Sequence, residues 1–369
     1  MPLTKLQFRP GINRDVTSYS NEGGWVDCDK VRFRLGYPEV MGGWQKYSSE
    51  TYIGTARSLF NWIALDGDDL LGVGTESKYY IEQGQTFNDI TPIRATTTNG
   101  ITFAATNGSS VITATDSSHG AVQGDFVTIA GSVSLGGNIT AAVLNQEYEI
   151  ASVPSANTYT FTAKDTAGAT VTANASDSGN GGAGVDGVYQ INSGLNTGVG
   201  GTALGVTTSL RIWSQDNFGE DLLINPRDGA IYYWDKSDGL DTRAVELSTV
   251  TGASDTPTVA KQIMVSDNDR HCIAFGTNTI GTTTQDPLLI RFSSQESVTD
   301  WTPTATNTAG DLRIGSGSEF VKAIETKREI VIFTNNSTHS MRFIGPPFTF
   351  GIQPLSSNIT IMGPNADVA

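Results

Sequence analysis

Hydrophobic and polar positions recur along the chain in an order that predicts repeated β-meanders. Residues 56–84 read as an apolar strand, an acidic turn, a strand opening with two leucines, a glycine turn and an aromatic strand. Residues 209–237 repeat this order, and weaker copies lie within 261–295 and 320–346. Such units cannot bury both faces alone, so the repeat predicts sheets that pack around an axis.

The second strand of each unit is a continuous apolar run: LLGV, LLIN, CIAF and IVIF. A strand of this kind is typical of one covered on both faces, which favours the blades of an all-β propeller over an unrelated set of meanders. Propellers usually have about four to eight blades, so four units are few. We expect either a ring that is incomplete in this chain or a longer parent chain.

Between the first and second units the composition changes abruptly. Residues 95–206 contain a single basic residue, Lys164, and are rich in Thr, Ala, Gly, Ser and Asn. Short alternating runs rich in Val, Ile, Thr, Tyr and Phe predict four or five strands of a small inserted barrel or sandwich. Residues 175–206 are dense in Gly and Ser, which predicts an extended return loop.

The N-terminal segment has a charge character of its own and predicts a docking arm. Apolar residues ending at Leu35 alternate with Arg32 and Arg34, so one strand face is apolar and the other cationic. A cationic face suits a carboxylate-bearing partner, although two arginines that keep an edge strand soluble explain it equally well. The candidate assembly interface consists of Lys30, Arg32, Arg34 and Trp44. The predicted domains are the arm 1–56, the first blade 57–94, the insertion 95–206 and further blades 207–369.

Charge and length exclude several classes of protein. The 369 residues include 23 Lys and Arg against 38 Asp and Glu, a net charge of −15. A chain with this excess repels nucleic acid, which excludes a sequence-reading DNA-binding protein. No apolar stretch approaches the length of a membrane-spanning helix, and we expect folding in a cytoplasm.

The residues that usually carry chemistry are scattered. The two cysteines, Cys28 and Cys272, and the three histidines, His119, His271 and His339, show no zinc-ligand spacing. His271 and Cys272 are adjacent on a predicted strand and should point to opposite faces, and His339 falls in a predicted polar turn. We therefore predict no catalytic, cofactor or metal site, and no enzyme.

Two further groups have both a structural and a functional interpretation. Asp66, Asp68 and Asp69 resemble part of a calcium loop, but turn residues that accept local hydrogen bonds are the simpler interpretation. Aromatic residues at predicted turn edges could stack on sugar rings, which keeps open a carbohydrate-binding or carbohydrate-cleaving propeller or adhesin as the alternative function. These residues are Trp62, Trp213 and Trp301.

The motif KVRFRLGYPEVMGGW at 30–44, together with PPFTFGIQPLSSNI at 346–359 and the blades, resembles the β-propeller nozzle or tail tubular (tail hub) proteins of short-tailed bacteriophages. The resemblance implies a structural virion protein of the tail, assembled in the host cytoplasm. It implies a homo-oligomeric ring, six-fold in that family, that extends the DNA-ejection channel. The partners implied are other copies, neighbouring tail or adaptor proteins, passing DNA without sequence-specific binding, and a host surface contacted by the insertion.

Overall fold

The computed structural model describes residues 9–176, 184–191, 212–345 and 348–366. The chain divides into two compact units, Met1–Ser49 and Glu50–Ala369. The described part of the first unit contains one hairpin, β1 (Val31–Arg34) and β2 (Tyr37–Val40). Leu35 and Gly36 connect the strands with φ of +52° and +85°. Two successive positive φ values define a type I′ turn, whose twist matches that of the flanking strands.

The second unit contains four four-stranded antiparallel sheets of meander order, which we call blades 1 to 4. Blade 1 comprises β3 (Ala56–Ile63), β4 (Asp69–Thr75), β5 (Tyr79–Gln83) and β6 (Thr86–Asp89). The strands of the inserted module, between blades 1 and 2, are β7 (Ile93–Thr97), β8 (Thr102–Ala105), β9 (Val111–Thr115), β10 (Phe126–Ala130), β11 (Glu147–Glu149), β12 (Ser152–Ser155), β13 (Thr158–Thr162) and β14 (Asp186–Gln190), with helix α1 (Ala141–Leu144).

The other three blades follow the insertion. Blade 2 comprises β15 (Trp213–Phe218), β16 (Asp221–Pro226), β17 (Tyr232–Trp234) and β18 (Val245–Glu246), with short 3₁₀ turns at Lys236–Asp238 and Leu247–Thr249. Blade 3 comprises β19 (Gln262–Val265), β20 (Cys272–Phe275), β21 (Leu289–Phe292) and β22 (Gly310–Arg313). Blade 4 comprises β23 (Phe320–Glu325), β24 (Ile330–Thr334), β25 (Ser337–Gly345) and β26 (Thr349–Ser357). This architecture confirms the all-β class with propeller-type blades.

Each blade has one more strand than the sequence pattern indicates. The strands β6, β18, β22 and β26 pair only with the third strand of their blade and form its outer edge. An edge strand is half solvated and carries no continuous apolar run. The hydrophobic pattern of the sequence therefore indicated only three strands in each blade. The second strands β4, β16 and β20 are largely buried, as their continuous apolar runs predict, whereas β24 alternates between buried and partly buried residues.

The insertion is a sandwich of two four-stranded sheets, with strand orders β11-β10-β14-β7 and β12-β13-β9-β8. Both sheets contribute to one apolar core, with Phe103 and Phe161 from one sheet and Val127 and Tyr189 from the other. The sandwich begins at β7, whose first residue, Ile93, lies within the segment predicted as the first blade.

The predicted return loop 175–206 is wrong at β14, which is an inner strand between β7 and β10. Glycine density was interpreted as a turn signal, but Gly187 lies where the two sheets approach closely. A Cβ atom there would come within 2.6 Å of Ile101 Cδ1. Glycine in a strand often marks such a close approach. The remainder of that predicted loop lies mostly outside the described residues.

Buried ion pairs fix the sandwich against blade 1. The Lys78 side chain is almost fully buried, and its Nζ lies 2.9 Å from Asp89 Oδ2 in blade 1 and 2.5 Å from Glu147 Oε1 in the sandwich. The same ammonium group lies 4.9 Å from the centre of the Phe126 ring. A buried charge is stable only when it is paired and hydrogen-bonded, so this lysine links the two parts in one orientation.

Neighbouring blades join through apolar clusters. One cluster joins blade 1 to blade 2, another joins blade 2 to blade 3, and a third joins blade 3 to blade 4. Within the described ranges, no buried apolar cluster joins blade 4 to blade 1. Among these residues the buried apolar clusters thus link the blades in the order 1, 2, 3 and 4.

Candidate assembly site

The hairpin carries three of the four residues predicted for the assembly interface. Lys30 precedes β1, and Arg32 and Arg34 both project to its exposed face, as the alternation predicts. Trp44 lies beyond β2, in a segment without regular structure, and its side chain is fully exposed. The structure thus places Arg32 and Arg34 on one strand face, with Lys30 directly before the strand and Trp44 in the segment after β2.

The cationic face is less positive than the sequence indicates. Arg32 Nε lies 3.1 Å from Glu39 Oε2, because the hairpin register sets these residues opposite each other on β1 and β2. Arg34 lies opposite Tyr37 and has no ion pair among the described residues. Arg34 is therefore the cation of this strand that is most available to a partner. This ion pair could have been predicted only from a hairpin over residues 31–40, and the strand pattern of the sequence did not indicate that hairpin.

The predicted apolar face of the strand is shorter than expected. Phe33 is half buried and packs edge-on against Trp25, with ring centres 6.1 Å apart. Leu35 was predicted to continue this face, but it occupies the turn and is 92% exposed. The side chains of Tyr37 and Val40 on β2 are also largely exposed. The described part of the first unit therefore presents a group of uncovered large apolar side chains, which sequence reasoning missed.

The second unit has a central cavity of about 840 Å³ lined by the first strand of every blade. Polar side chains join these strands near their beginnings. Ser58 Oγ lies 3.1 Å from Gln215 Oε1 between blades 1 and 2, and the Gln262 amide exchanges hydrogen bonds of 2.8 and 2.9 Å with the backbone of Ala323 between blades 3 and 4. The blades are thus arranged around a common centre.

One end of the cavity holds carboxylates from three blades. Asp216 Oδ2 of blade 2 accepts a hydrogen bond of 2.8 Å from Val265 N, and Glu325 of blade 4 accepts one of 3.1 Å from Asp267 N, both donors being in blade 3. Burial, with a smaller contribution from the neighbouring acidic groups, raises the pKa of Asp216 to about 7. Burial likewise raises the pKa of Glu325 to about 7, with Asp267 and Asp269 adding to the effect.

Cations also link the blades of the second unit to one another. Buried Arg227 of blade 2 reaches blade 4, where its guanidinium donates to the carbonyl oxygens of Phe320 and Val321 at 3.3 and 3.2 Å. Lys261 Nζ of blade 3 lies 2.7 Å from Glu319 Oε1. These contacts tie blades 2, 3 and 4 together.

His271, Cys272 and His339, which the sequence offered as candidate catalytic residues, are buried in the blades. Burial lowers the pKa of His271 to about 4, and burial raises the pKa of the Cys272 thiol. His271 packs on Phe350 of blade 4, whereas Cys272 belongs to the cluster between blades 2 and 3, so they face opposite sides as predicted. His339 is not in a turn: it is buried in β25, with Nε2 2.9 Å from Ser337 Oγ.

The other histidine and the aspartates also have structural roles. His119 is buried in the sandwich, where its Nδ1 accepts a hydrogen bond of 3.1 Å from Ala121 N. Asp66 Oδ1 accepts a hydrogen bond of 3.1 Å from Asp68 N, the local turn contact predicted for these aspartates, and Asp66 also pairs with Lys236. In the part of the chain that the structure describes, no group of three His, Cys, Asp or Glu is arranged to hold a metal ion.

The tryptophans considered for sugar stacking are all buried. Their indole nitrogens donate hydrogen bonds to backbone carbonyl oxygens, at 3.0 Å for Trp62, 2.7 Å for Trp213 and 2.8 Å for Trp301. Trp62 and Trp213 belong to the core between blades 1 and 2, and Trp301 to the core between blades 2 and 3. These side chains have no free ring face for a ligand, so this part of the carbohydrate interpretation is wrong.

Comparison with known proteins adds little to these observations. No family model matches the chain, and no curated protein matches it. Among solved structures, the chain is similar to the endosialidase of phage phi92, with 11% sequence identity and a TM-score of 0.28 over 84% of this chain and 50% of that one. The chain thus spans about half the length of that protein. None of the described helices has the length and hydrophobicity needed to cross a membrane.

Proposed function

We propose that this protein is a structural component of a bacteriophage tail, in which several copies form a ring that extends the DNA-ejection channel as a nozzle. The proposal assigns no enzymatic activity and no cofactor. Its partners are other copies of the chain, six per ring by the resemblance, and neighbouring tail or adaptor proteins. A host surface contacted by the inserted sandwich is a further partner in this proposal.

The observation that carries the proposal is the exposed apolar surface of the first unit. Leu35, Tyr37, Val40 and Trp44 are each at least three-quarters exposed and lie within one short stretch. Soluble monomers rarely leave such groups uncovered, and aromatic residues beside an arginine are typical of the centre of a protein interface. Arg34, which has no described ion pair, adds a donor suited to a carboxylate on the partner.

The net charge of −15 supports the proposed passage of DNA. The phosphate backbone is repelled by an acidic protein and attracted only where cations release its counterions. DNA can therefore slide past such a ring without adhering to it. No observation favours the carbohydrate-binding alternative now that its three tryptophans are in the core; a glycan array and polysaccharide hydrolysis assays would test it.

Electron microscopy of the purified protein and of virions tests the proposal. We expect rings of copies in both samples, located in the tail of the particle. A monodisperse monomer that is absent from particles would overturn the assignment.

A further inference from the structure

Lys78 lies between two carboxyl groups where blade 1 meets the sandwich. Its side chain is 2% exposed, against 9% for Lys261 and 17% for Lys236, which also form ion pairs. Its Nζ lies 2.9 Å from Asp89 Oδ2 and 2.5 Å from Glu147 Oε1, and the Phe126 ring covers it at 4.9 Å. An amine that is fixed this close to a carboxyl group, with little access to water, has the proximity of a reactant.

The two oxygens of Asp89 have different partners. Oδ1 accepts hydrogen bonds from Arg243 Nη1 at 2.6 Å and from Thr91 N at 2.9 Å, whereas Oδ2 faces Lys78. Two donors on one oxygen stabilise the negative charge that develops there when a nucleophile attacks the carboxyl carbon. Oδ1 is therefore placed as the oxyanion of such an attack, and Oδ2 as the leaving oxygen.

Asp89 is ionised before any reaction. Burial acts to raise its pKa, but the charges of Lys78 and Arg243 outweigh burial and hold the pKa below its usual value. The pair therefore starts as an ammonium and a carboxylate, and the amine has to lose a proton before it can attack. Glu147 Oε1 is a base within hydrogen-bonding distance of Nζ and can accept that proton.

We propose that Lys78 and Asp89 condense to an intramolecular amide, with Glu147 as the proton shuttle. Glu147 takes a proton from the ammonium group, and the free Nζ attacks Cγ of Asp89. The bond between Cγ and Oδ2 then breaks, and Oδ2 leaves as water with the two protons that the nitrogen has lost, both delivered through Glu147. The product has a new Nζ–Cγ bond and no charge on either residue. Glu147 ends as the carboxylate that it was, and no oxidant or cofactor takes part.

The surroundings of the pair favour the product. A neutral amide replaces an ion pair whose burial carries a desolvation penalty. Glu147 is partly exposed and lines a cleft of about 750 Å³, which gives the released water a way out. Lys78 directly precedes β5 and Asp89 ends β6, so the amide prevents the outer edge strand of blade 1 from fraying. The ion pair is the reactant state, and the amide is the state of the matured protein.

Mass spectrometry of the full chain, purified folded and then denatured, tests the proposal. We expect a mass that is lower than that of the sequence by one water molecule. Trypsin cleaves after Arg57, Lys78 and Arg94 but not after an acylated lysine. Residues 58–94 should therefore stay in one fragment that lacks one water. A further cut after Glu82, between the two reacting residues, should leave the two pieces joined.

Variants separate the roles of the three residues. Glu147→Gln keeps both reacting groups and removes the shuttle, so loss of water with time after refolding should be about 100-fold slower or more. Lys78→Arg and Asp89→Ala remove the nucleophile and the acceptor, and both should keep the full mass. Lys164→Arg, at an exposed lysine of the sandwich, is the matched control and should lose water as the unmodified protein does. Circular dichroism checks folding, and the mass of the unmodified protein decides the question even if a variant fails to fold.

An unmodified protein that keeps its full mass after prolonged incubation, and is cleaved after Lys78, would overturn the proposal. A missing water that maps to an aspartate followed by glycine, such as Asp66 or Asp228, is a succinimide and would overturn it as well. A mass deficit retained in Lys78→Arg, or a branched fragment that joins Lys78 to Glu147, would show that the bond between Lys78 and Asp89 is not the one formed.

Discussion

Asp216 and Glu325 lie within a group of like charges at one end of the central cavity. Burial and their acidic neighbours raise the pKa of each to about 7. A carboxyl group whose pKa is higher in the folded than in the unfolded state binds more protons when folded, between its two pKa values. We therefore expect the free energy of unfolding to fall as the pH rises from about 4 to about 7.

Asp216→Asn tests this expectation, because the amide retains an oxygen that can accept from Val265 N but cannot ionise. The variant should show a smaller loss of stability over this range and be about 1–2 kcal/mol more stable than the unmodified protein at pH 8. Urea unfolding at pH 5 and pH 8 measures the difference. Asp241→Asn, at an exposed carboxylate, is the control; an identical pH profile for Asp216→Asn and the unmodified protein would contradict the argument.

Leu35 adopts a left-handed backbone conformation in the turn of the hairpin, which costs a leucine about 1–2 kcal/mol relative to the usual right-handed region. Asparagine tolerates this conformation and is favoured before glycine in a type I′ turn. Leu35→Asn should therefore slow hydrogen exchange of the β1–β2 amides several-fold. Leu65→Asn is a matched control, because Leu65 is also 92% exposed and its φ is not positive; equal protection in the two variants would refute the strain argument.

At the scale of elements, strands with an apolar run or clear alternation were predictable from the sequence. The alternation in 31–34 placed Arg32 and Arg34 on one face, and the repeat found the first three strands of every blade. The predictions that failed concern positions at which the hydrophobic pattern carries no signal. Gly187 is required by Ile101 across the sandwich, and Leu35 belongs to a turn that lacks the usual Asn-Gly signal.

The junction between the sandwich and blade 1 depends on the ion pairs of Lys78. Lys78→Met leaves Asp89 and Glu147 without this cation, and removing one partner of a buried pair typically costs about 3–5 kcal/mol. We expect a loss of about 2–3 kcal/mol here, because Arg243 Nη1 still lies 2.6 Å from Asp89 Oδ1 and Glu147 is partly exposed. Thermal unfolding and limited proteolysis measure the effect.

The double variant Lys78→Met/Glu147→Gln should recover part of this loss, because it removes one of the stranded charges. Lys164→Met, at an exposed lysine of the sandwich, is the matched control and should change stability by less than about 0.5 kcal/mol. A Lys78→Met variant as stable as this control would mean that the sandwich docks through apolar contacts alone.

At the scale of the whole molecule, the two units differ in the surface they offer. The second unit buries most of its apolar runs between sheets. The first unit leaves most of its described large apolar side chains exposed, and the most exposed of them, apart from Tyr19, lie on the hairpin and in the segment after it. For the proposed tail component we expect a division of roles, in which the blades form the body of each copy and the first unit contacts a neighbour.

Trp44→Ser tests the role of the first unit in the assembled tail. The side chain is fully exposed, so its loss should leave the unfolding temperature unchanged. If it is a buried anchor in the assembly, truncation should weaken docking at least ten-fold, as expected for an aromatic residue at the centre of an interface. Incorporation of the variant into particles, compared with Val133→Ser in the sandwich, measures the effect. Normal incorporation of Trp44→Ser, and of Arg34→Glu beside it, would show that the hairpin is not the docking element.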